Sequence, residues 1–100
     1  DLSLPQTFSL EQNYPNPFNP STKIKYTIPS VIASETKQPV QTTLSIYDVL
    51  GNEVATLINE FKPAGSYEVD FNASNFTSGV YLYKIEAGNF SQTRKMLLIK

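Results

Sequence analysis

Lys23-Ile24-Lys25-Tyr26-Thr27-Ile28 and Ser66-Tyr67-Glu68-Val69-Asp70-Phe71 decide the fold. In both runs polar and apolar side chains alternate one by one. Successive side chains of a strand point to opposite faces, so each run offers one face to a core and the other to water. Ile24, Tyr26 and Ile28 are expected inside, as are Tyr67, Val69 and Phe71. Val80-Tyr81-Leu82-Tyr83-Lys84-Ile85-Glu86-Ala87 repeats the pattern, with Tyr81, Tyr83 and Ile85 on one face. Thr42 to Val49 carries Leu44 and Ile46 on one face and Tyr47 and Val49 on the other, as in a strand covered on both sides. Glu53 to Ile58 and Gln92 to Ile99 are apolar but alternate poorly. In the latter, Met96 and Leu98 are assigned inward.

Turn signals separate these runs. Leu50-Gly51-Asn52 closes one hairpin and Gly88-Asn89 another. Ala64-Gly65 and Ser78-Gly79 break the chain before the Tyr67 and Tyr81 strands. No segment reads as an amphipathic helix. About seven short strands at this spacing predict an all-β fold, an antiparallel β-sandwich over residues 21–100. In immunoglobulin-like sandwiches a tyrosine at a strand corner bonds back to the preceding loop. Tyr81, two residues before Tyr83, fits that spacing, and plain core packing of both tyrosines fits it equally.

Ahead of the sandwich stands Asn13-Tyr14-Pro15-Asn16-Pro17-Phe18-Asn19-Pro20, with three prolines in six residues. Each proline fixes φ and lacks an N–H, and each residue before one is pushed toward extended geometry. Helix and central strand are both excluded. Residues 1–20 are expected to be a linker and a stiff, extended arm, with a possible edge strand around Phe8 to Gln12. Tyr14 and Phe18 are its only large apolar anchors. Ser30 to Gln41 is polar and reads as a long loop, the first place to expect disorder.

One hundred residues suit one domain. The chain has no cysteine and no histidine. Disulfides, thiolate or imidazole metal sites and histidine-based catalysis are therefore out of reach. A formal net charge of −1 gives no field that gathers nucleic acid. No apolar run approaches the ~20 residues that span a bilayer. The chain opens on Asp1 without a signal peptide and reads as a piece of a longer protein. No cofactor and no metal are expected.

Of the nine carboxylates, Glu68 and Asp70 share an outward face. A solvated face explains them better than a glycosidase pair, because a sandwich this small rarely supplies a cleft. Asp48 and Asp70 lie in no D-x-D-x-D-G calcium loop. The glycosylation-like triplets at Asn72, Asn75 and Asn89 arise readily by chance in a chain of this composition. Tyr14, Phe61, Phe76 and Phe90 fall outside the core phase and are candidate sugar contacts. After Tyr83 the chain carries Lys84, Arg94, Lys95 and Lys100 against Glu86 alone. That basic tail is either an edge strand guarded by charge or an electrostatic handle for a partner.

Asn13-Tyr14-Pro15-Asn16-Pro17-Phe18-Asn19-Pro20-Ser21-Thr22, Tyr47-Asp48-Val49-Leu50-Gly51-Asn52-Glu53-Val54, Ala64-Gly65, Ser78-Gly79-Val80-Tyr81-Leu82-Tyr83 and Arg94-Lys95-Met96 with Lys100 follow in that order. Together they resemble the type A C-terminal sorting domain of the Bacteroidetes type IX (Por) secretion system, from about Phe8 to Lys100. The resemblance implies an immunoglobulin-like sandwich at the C-terminus of a secreted protein, with Lys100 as the parent's last residue. The cargo would cross to the periplasm and fold there, and the outer-membrane translocon would then read the domain. In many members a cysteine-protease-like sortase removes the domain and joins the cargo to anionic lipopolysaccharide at the cell surface. The cut would fall upstream of the sandwich, near or before Phe8. The stretch from Pro29 to Val40 is longer than in many relatives.

On this reading the chain is a non-enzymatic sorting module with Asn16, Pro17, Gly79, Tyr81, Lys95 and Lys100 as recognition residues. Partners would read it by adding a strand to an exposed final strand. Pro17, Gly79 and Tyr81 also admit purely structural roles, Gly79 through a positive φ. The rival readings are a carbohydrate-binding module, which needs a flat row of exposed aromatics, and a passive spacer domain of a secreted protein.

Overall fold

The computed structural model describes residues 8–29 and 39–100. The expected loop over Ser30 to Gln41 falls mostly outside the described residues, and the chain is already strand at Val40. Among these residues seven strands follow one another: β1 (Ser9–Leu10), β2 (Ser21–Ile28), β3 (Val40–Tyr47), β4 (Glu53–Lys62), β5 (Gly65–Asn72), β6 (Gly79–Ala87) and β7 (Phe90–Leu98). They form a three-stranded sheet in the order β1-β2-β5 and a four-stranded sheet in the order β4-β3-β6-β7. Every strand pair is antiparallel. The architecture is the antiparallel β-sandwich that the alternating runs predict.

The alternation places the core where it was expected. Ile24, Tyr26 and Ile28 of β2, Leu44 and Ile46 of β3, and Tyr83 and Ile85 of β6 are all buried to 1% exposure or less. Met96 and Leu98 of β7 lie inside with them. On β5, Phe71 is buried, while Tyr67 and Val69 are half-buried on the same inward face. Asp48 to Asn52 turns β3 into β4, and Gly88-Asn89 joins Ala87 to its partner Phe90. Val49 departs from expectation. It lies beyond β3 in the turn and is 66% exposed, so it covers no sheet face.

The weak alternation of β4 has a structural cause. The register with β3 skips Leu57, between Thr56 and Ile58, and Val54, between Glu53 and Ala55. Each β-bulge inserts one residue and reverses the phase of the side chains that follow. Two bulges in one strand erase the period-two pattern from the sequence. They also bend an edge strand that would otherwise offer a flat template to other chains.

Ile85 pairs with Leu44 at the middle of the core. Ile85→Ala is expected to lower the unfolding free energy by ~2–5 kcal/mol, because the transfer loss and the residual cavity add. Leu50→Ala, on a side chain 83% exposed, is expected to stay within about ±0.5 kcal/mol. Urea unfolding of the two variants checks both values.

Candidate recognition site

The proline arm is not a free spacer. It runs from one sheet to the other. Its first half belongs to the three-stranded sheet: Glu11 donates its N–H to Lys25, and Tyr14 and Lys23 exchange both backbone bonds. Its second half belongs to the other sheet: Phe18 donates to the Leu97 carbonyl and accepts from the Ile99 N–H, both at 3.0 Å. The chain then returns to β2. The peptide bonds before Pro15, Pro17 and Pro20 are cis. Without N–H groups the prolines cannot extend either ladder, so the arm crosses between the sheets rather than joining one.

What pins the crossing is a buried polar knot. Asn13 is 2% exposed. Its side-chain N–H groups reach Thr22 Oγ1 at 3.0 Å and the Pro15 carbonyl at 3.1 Å. Its Oδ1 accepts from Gln12 Nε2. The Tyr83 hydroxyl donates to the Glu11 carbonyl at 2.7 Å and accepts the Asn13 N–H at 2.8 Å. Buried polar groups cost little only when every partner is present, and here the partners close on one another. Burial pushes the Tyr83 hydroxyl above its ordinary value, against the opposing pull of the Asn13 N–H and Arg94.

Two expectations change. Tyr14 is 80% exposed and holds the arm through its backbone rather than its ring, whereas Phe18 is buried beside Phe71. The large anchors of the arm are Phe18 and the amide of Asn13, which alternation alone would not reveal. The final strand is also not a bare edge. Leu97 gives its N–H to Asn16 Oδ1 at 2.9 Å and its carbonyl to Phe18, and the Lys95 carbonyl accepts from Gln12 Nε2. The arm therefore caps β7 from Lys95 onward. Among the described residues, only the Ser91 and Thr93 end of that edge lacks such partners, which removes the basis for strand addition over the last residues.

The six residues marked in the sequence gather at one end of the sandwich. Asn16 binds β7 directly, and Pro17 adjoins it. Gly79 pairs with Leu98, and Tyr81 with Met96. Asn16 and Lys95 line one shallow cleft of about 330 Å³ with Val80 and Leu97. Lys100 donates its N–H to Ser78 Oγ and its ammonium to the Ser74 carbonyl. Tyr81 and Gly79 have local duties as well. The Tyr81 hydroxyl donates to the Thr77 carbonyl at 2.7 Å, four residues back, which is the corner bond its spacing allowed. Gly79 has φ +151, a conformation that side-chain-bearing residues rarely adopt. Beneath this end Phe18, Phe71, Phe76 and Tyr81 pack in a row with centroids 5.5–6.1 Å apart. Such aromatic contacts add stabilisation beyond area burial.

The β3–β4 turn stands at the same end. Asp48 Oδ1 accepts the N–H groups of Leu50 and Asn52, both at 2.9 Å. These bonds, the Asn52 N–H foremost, hold the Asp48 carboxyl below its ordinary value. Asp70 pairs with Lys23 on the exposed sheet face. The described residues contain no group of three or more His, Cys, Asp or Glu side chains that could hold a metal ion. Nor do they show a flat row of exposed aromatics. Tyr14 and Phe61 are the exposed ones, one on the arm beside β2 and the other on β4 of the opposite sheet.

Residues 12–100 match the family described as secretion system C-terminal sorting domain. The chain belongs to that family. No individual curated protein matches it. The matched span takes in the arm from Gln12 onward together with β2 to β7. A sorting domain of this family is a type IX C-terminal signal, not a catalytic unit, and it implies export to the cell surface or beyond.

Three buried tyrosines of this sorting domain make a graded test. Tyr26 is buried with its hydroxyl unpartnered among the described residues, and burial pushes that hydroxyl up to about 12. Tyr26→Phe is expected to leave stability unchanged or raise it. Tyr81→Phe removes the donor to the Thr77 carbonyl and the 3.4 Å contact with Thr77 Oγ1 and is expected to cost ~0.5–1.5 kcal/mol, and Tyr83→Phe, which leaves the buried Asn13 N–H and the Glu11 carbonyl without their partner, ~1–3 kcal/mol. The ionisation sign is fixed too. Between the ordinary value of 10.0 and about 12 the unfolded chain sheds protons that folded Tyr26 keeps, so stability falls as pH rises through that window. Tyr26→Phe should flatten the slope. Denaturant titrations at neutral and alkaline pH read both effects.

Proposed function

We propose that this domain directs a cargo joined to its N-terminal side across the outer membrane, and that the translocon reads the end of the sandwich where the arm caps β7. On this reading the cargo passes through the periplasm. A sortase-like protease then cuts upstream of the arm, and the cargo is retained on anionic lipopolysaccharide. The observation that carries the reading is the convergence of Asn16, Pro17, Gly79, Lys95 and Lys100 on one rigid end. Phe18 and Tyr81 hold that end from beneath.

Lys95 and Lys100 are the recognition charges of this reading. Both are exposed, and neither forms an ion pair among the described residues. Among the described residues the Lys100 ammonium bonds only the carbonyl of exposed Ser74, and an exposed cation without an ion-pair partner contributes little to folding. It is available to steer a partner of opposite charge. The sorting role therefore separates from stability by charge reversal, which leaves the core and the arm in place.

The test is export of a fluorescent reporter fused ahead of residues 1–100 in a bacterium with an active type IX system. Surface display of the unaltered fusion supports the sorting role. Lys95→Glu with Lys100→Glu is expected to trap most of the reporter in the periplasm, while melting within a few degrees of the parent, as surface changes do. Full export of the double variant would remove both lysines from the signal.

A further inference from the structure

Exposed apolar side chains are unevenly placed on this molecule. Seven large ones stand exposed among the described residues: Tyr14, Val49, Leu50, Val54, Phe61, Val80 and Ile99. Single exposed residues of this kind are ordinary. Here, however, Val49, Leu50, Val54, Val80 and Ile99 all lie at one end. The register shows it. Tyr47 closes β3 opposite Glu53, where β4 begins, and opposite Leu82, near the start of β6. Val80 pairs with Leu97, and Ile99 follows directly. The β3–β4 turn, the start of β6 and the end of β7 therefore share one end.

The turn is built to hold its apolar residues outward. Leu50 is 83% exposed and Val49 66%. Polar or glycine residues would serve such a turn as well. The turn is nonetheless rigid: the Asp48 carboxylate ties the Leu50 and Asn52 N–H groups, the Gly51 N–H bonds the Asp48 carbonyl, and the Asp48 N–H bonds Asn52. A preorganised apolar projection binds without first paying ordering entropy. Exposed apolar side chains gathered at one end of a domain point to an interaction site.

The charges around it select the occupant. Toward β7 lie Lys95, aligned through Leu82 with Tyr47, and Lys100, whose ammonium is turned onto the Ser74 carbonyl. On the turn side lie the carboxylates of Asp48 and Glu53. A bilayer with anionic headgroups would meet both carboxylates as the tip entered, which disfavours it. A protein socket can place carboxylates opposite Lys95 alone.

We infer that Val49 and Leu50 form a rigid apolar knuckle that docks into an apolar socket on a protein partner whose rim is acidic toward Lys95. This rests on the sorting role and names the surface through which it acts.

The test compares the same reporter fusion carrying Val49→Ser with Leu50→Ser against one carrying Phe61→Ser, an equally exposed apolar residue at the opposite end. The knuckle variant is expected to keep its melting temperature and lose about tenfold or more of surface reporter, as loss of an interface anchor does. Phe61→Ser is expected to export as the parent does. Undiminished export of the folded knuckle variant overturns the inference and leaves the sorting role standing. Trapping of the unaltered fusion overturns the sorting role, and this inference with it. Sedimentation of the isolated chain and flotation with phosphatidylethanolamine–phosphatidylglycerol vesicles supply the remaining arms. Self-association or vesicle binding that the serine pair abolishes would name a second copy or a lipid surface as the occupant, and would overturn the protein socket.

Discussion

An open sandwich leaves edge strands whose backbone groups face outward, and the way β7 meets that constraint organises this molecule. Every N–H and C=O on such an edge must find water, a side chain or another strand. From Lys95 onward the proline arm supplies the partners: the Gln12 amide, the Asn16 amide and both backbone groups of Phe18. The same arm is paired with β2 a few residues earlier. One short segment thus closes an edge of one sheet while remaining part of the other. The buried amide of Asn13 and the hydroxyl of Tyr83 fix where it crosses.

Much of the fold was legible in the sequence, and the exceptions have physical causes. β2, β5 and β6 each cover a core with one face, so their alternation is clean and their inward residues could be named. β4 was opaque because bulges at Val54 and Leu57 shift the phase twice. The first half of β7 was opaque for another reason. Arg94 occupies an inward-phase position, yet it spends its guanidinium on the Leu10 carbonyl, under the start of the arm. A polar residue there looks like a broken pattern until the arm is in place. Asn13 escaped for the same reason: nothing local says that an asparagine beside a proline-rich run will be buried. The gathering of Asn16, Gly79, Lys95 and Lys100 depends on pairings across most of the chain, which a linear reading cannot supply.

Membership in the sorting-domain family and the geometry inform each other. The matched span begins inside the arm, and the arm completes the fold rather than merely preceding it. Pro17, Gly79 and Tyr81 have structural duties sufficient to explain them, through the crossing, the positive φ and the corner bond. Lys95, Val49 and Leu50 have none that the fold requires. Residues the fold does not need are where recognition is best sought.

The clasp between arm and β7 also sets an order of events. Its bonds join residues far apart in sequence: 81 positions between Asn16 and Leu97 and 83 between Gln12 and Lys95. Contacts of such separation form late, because the intervening chain must be ordered first. A ribosome releases the arm long before β7 exists, so the arm waits undocked until the last strand has been made. A truncated product would carry the arm without the strand that receives it. The assembled end of the sandwich is therefore a physical record that synthesis has run through β7, and a receptor that reads this end would pass over chains that stop short.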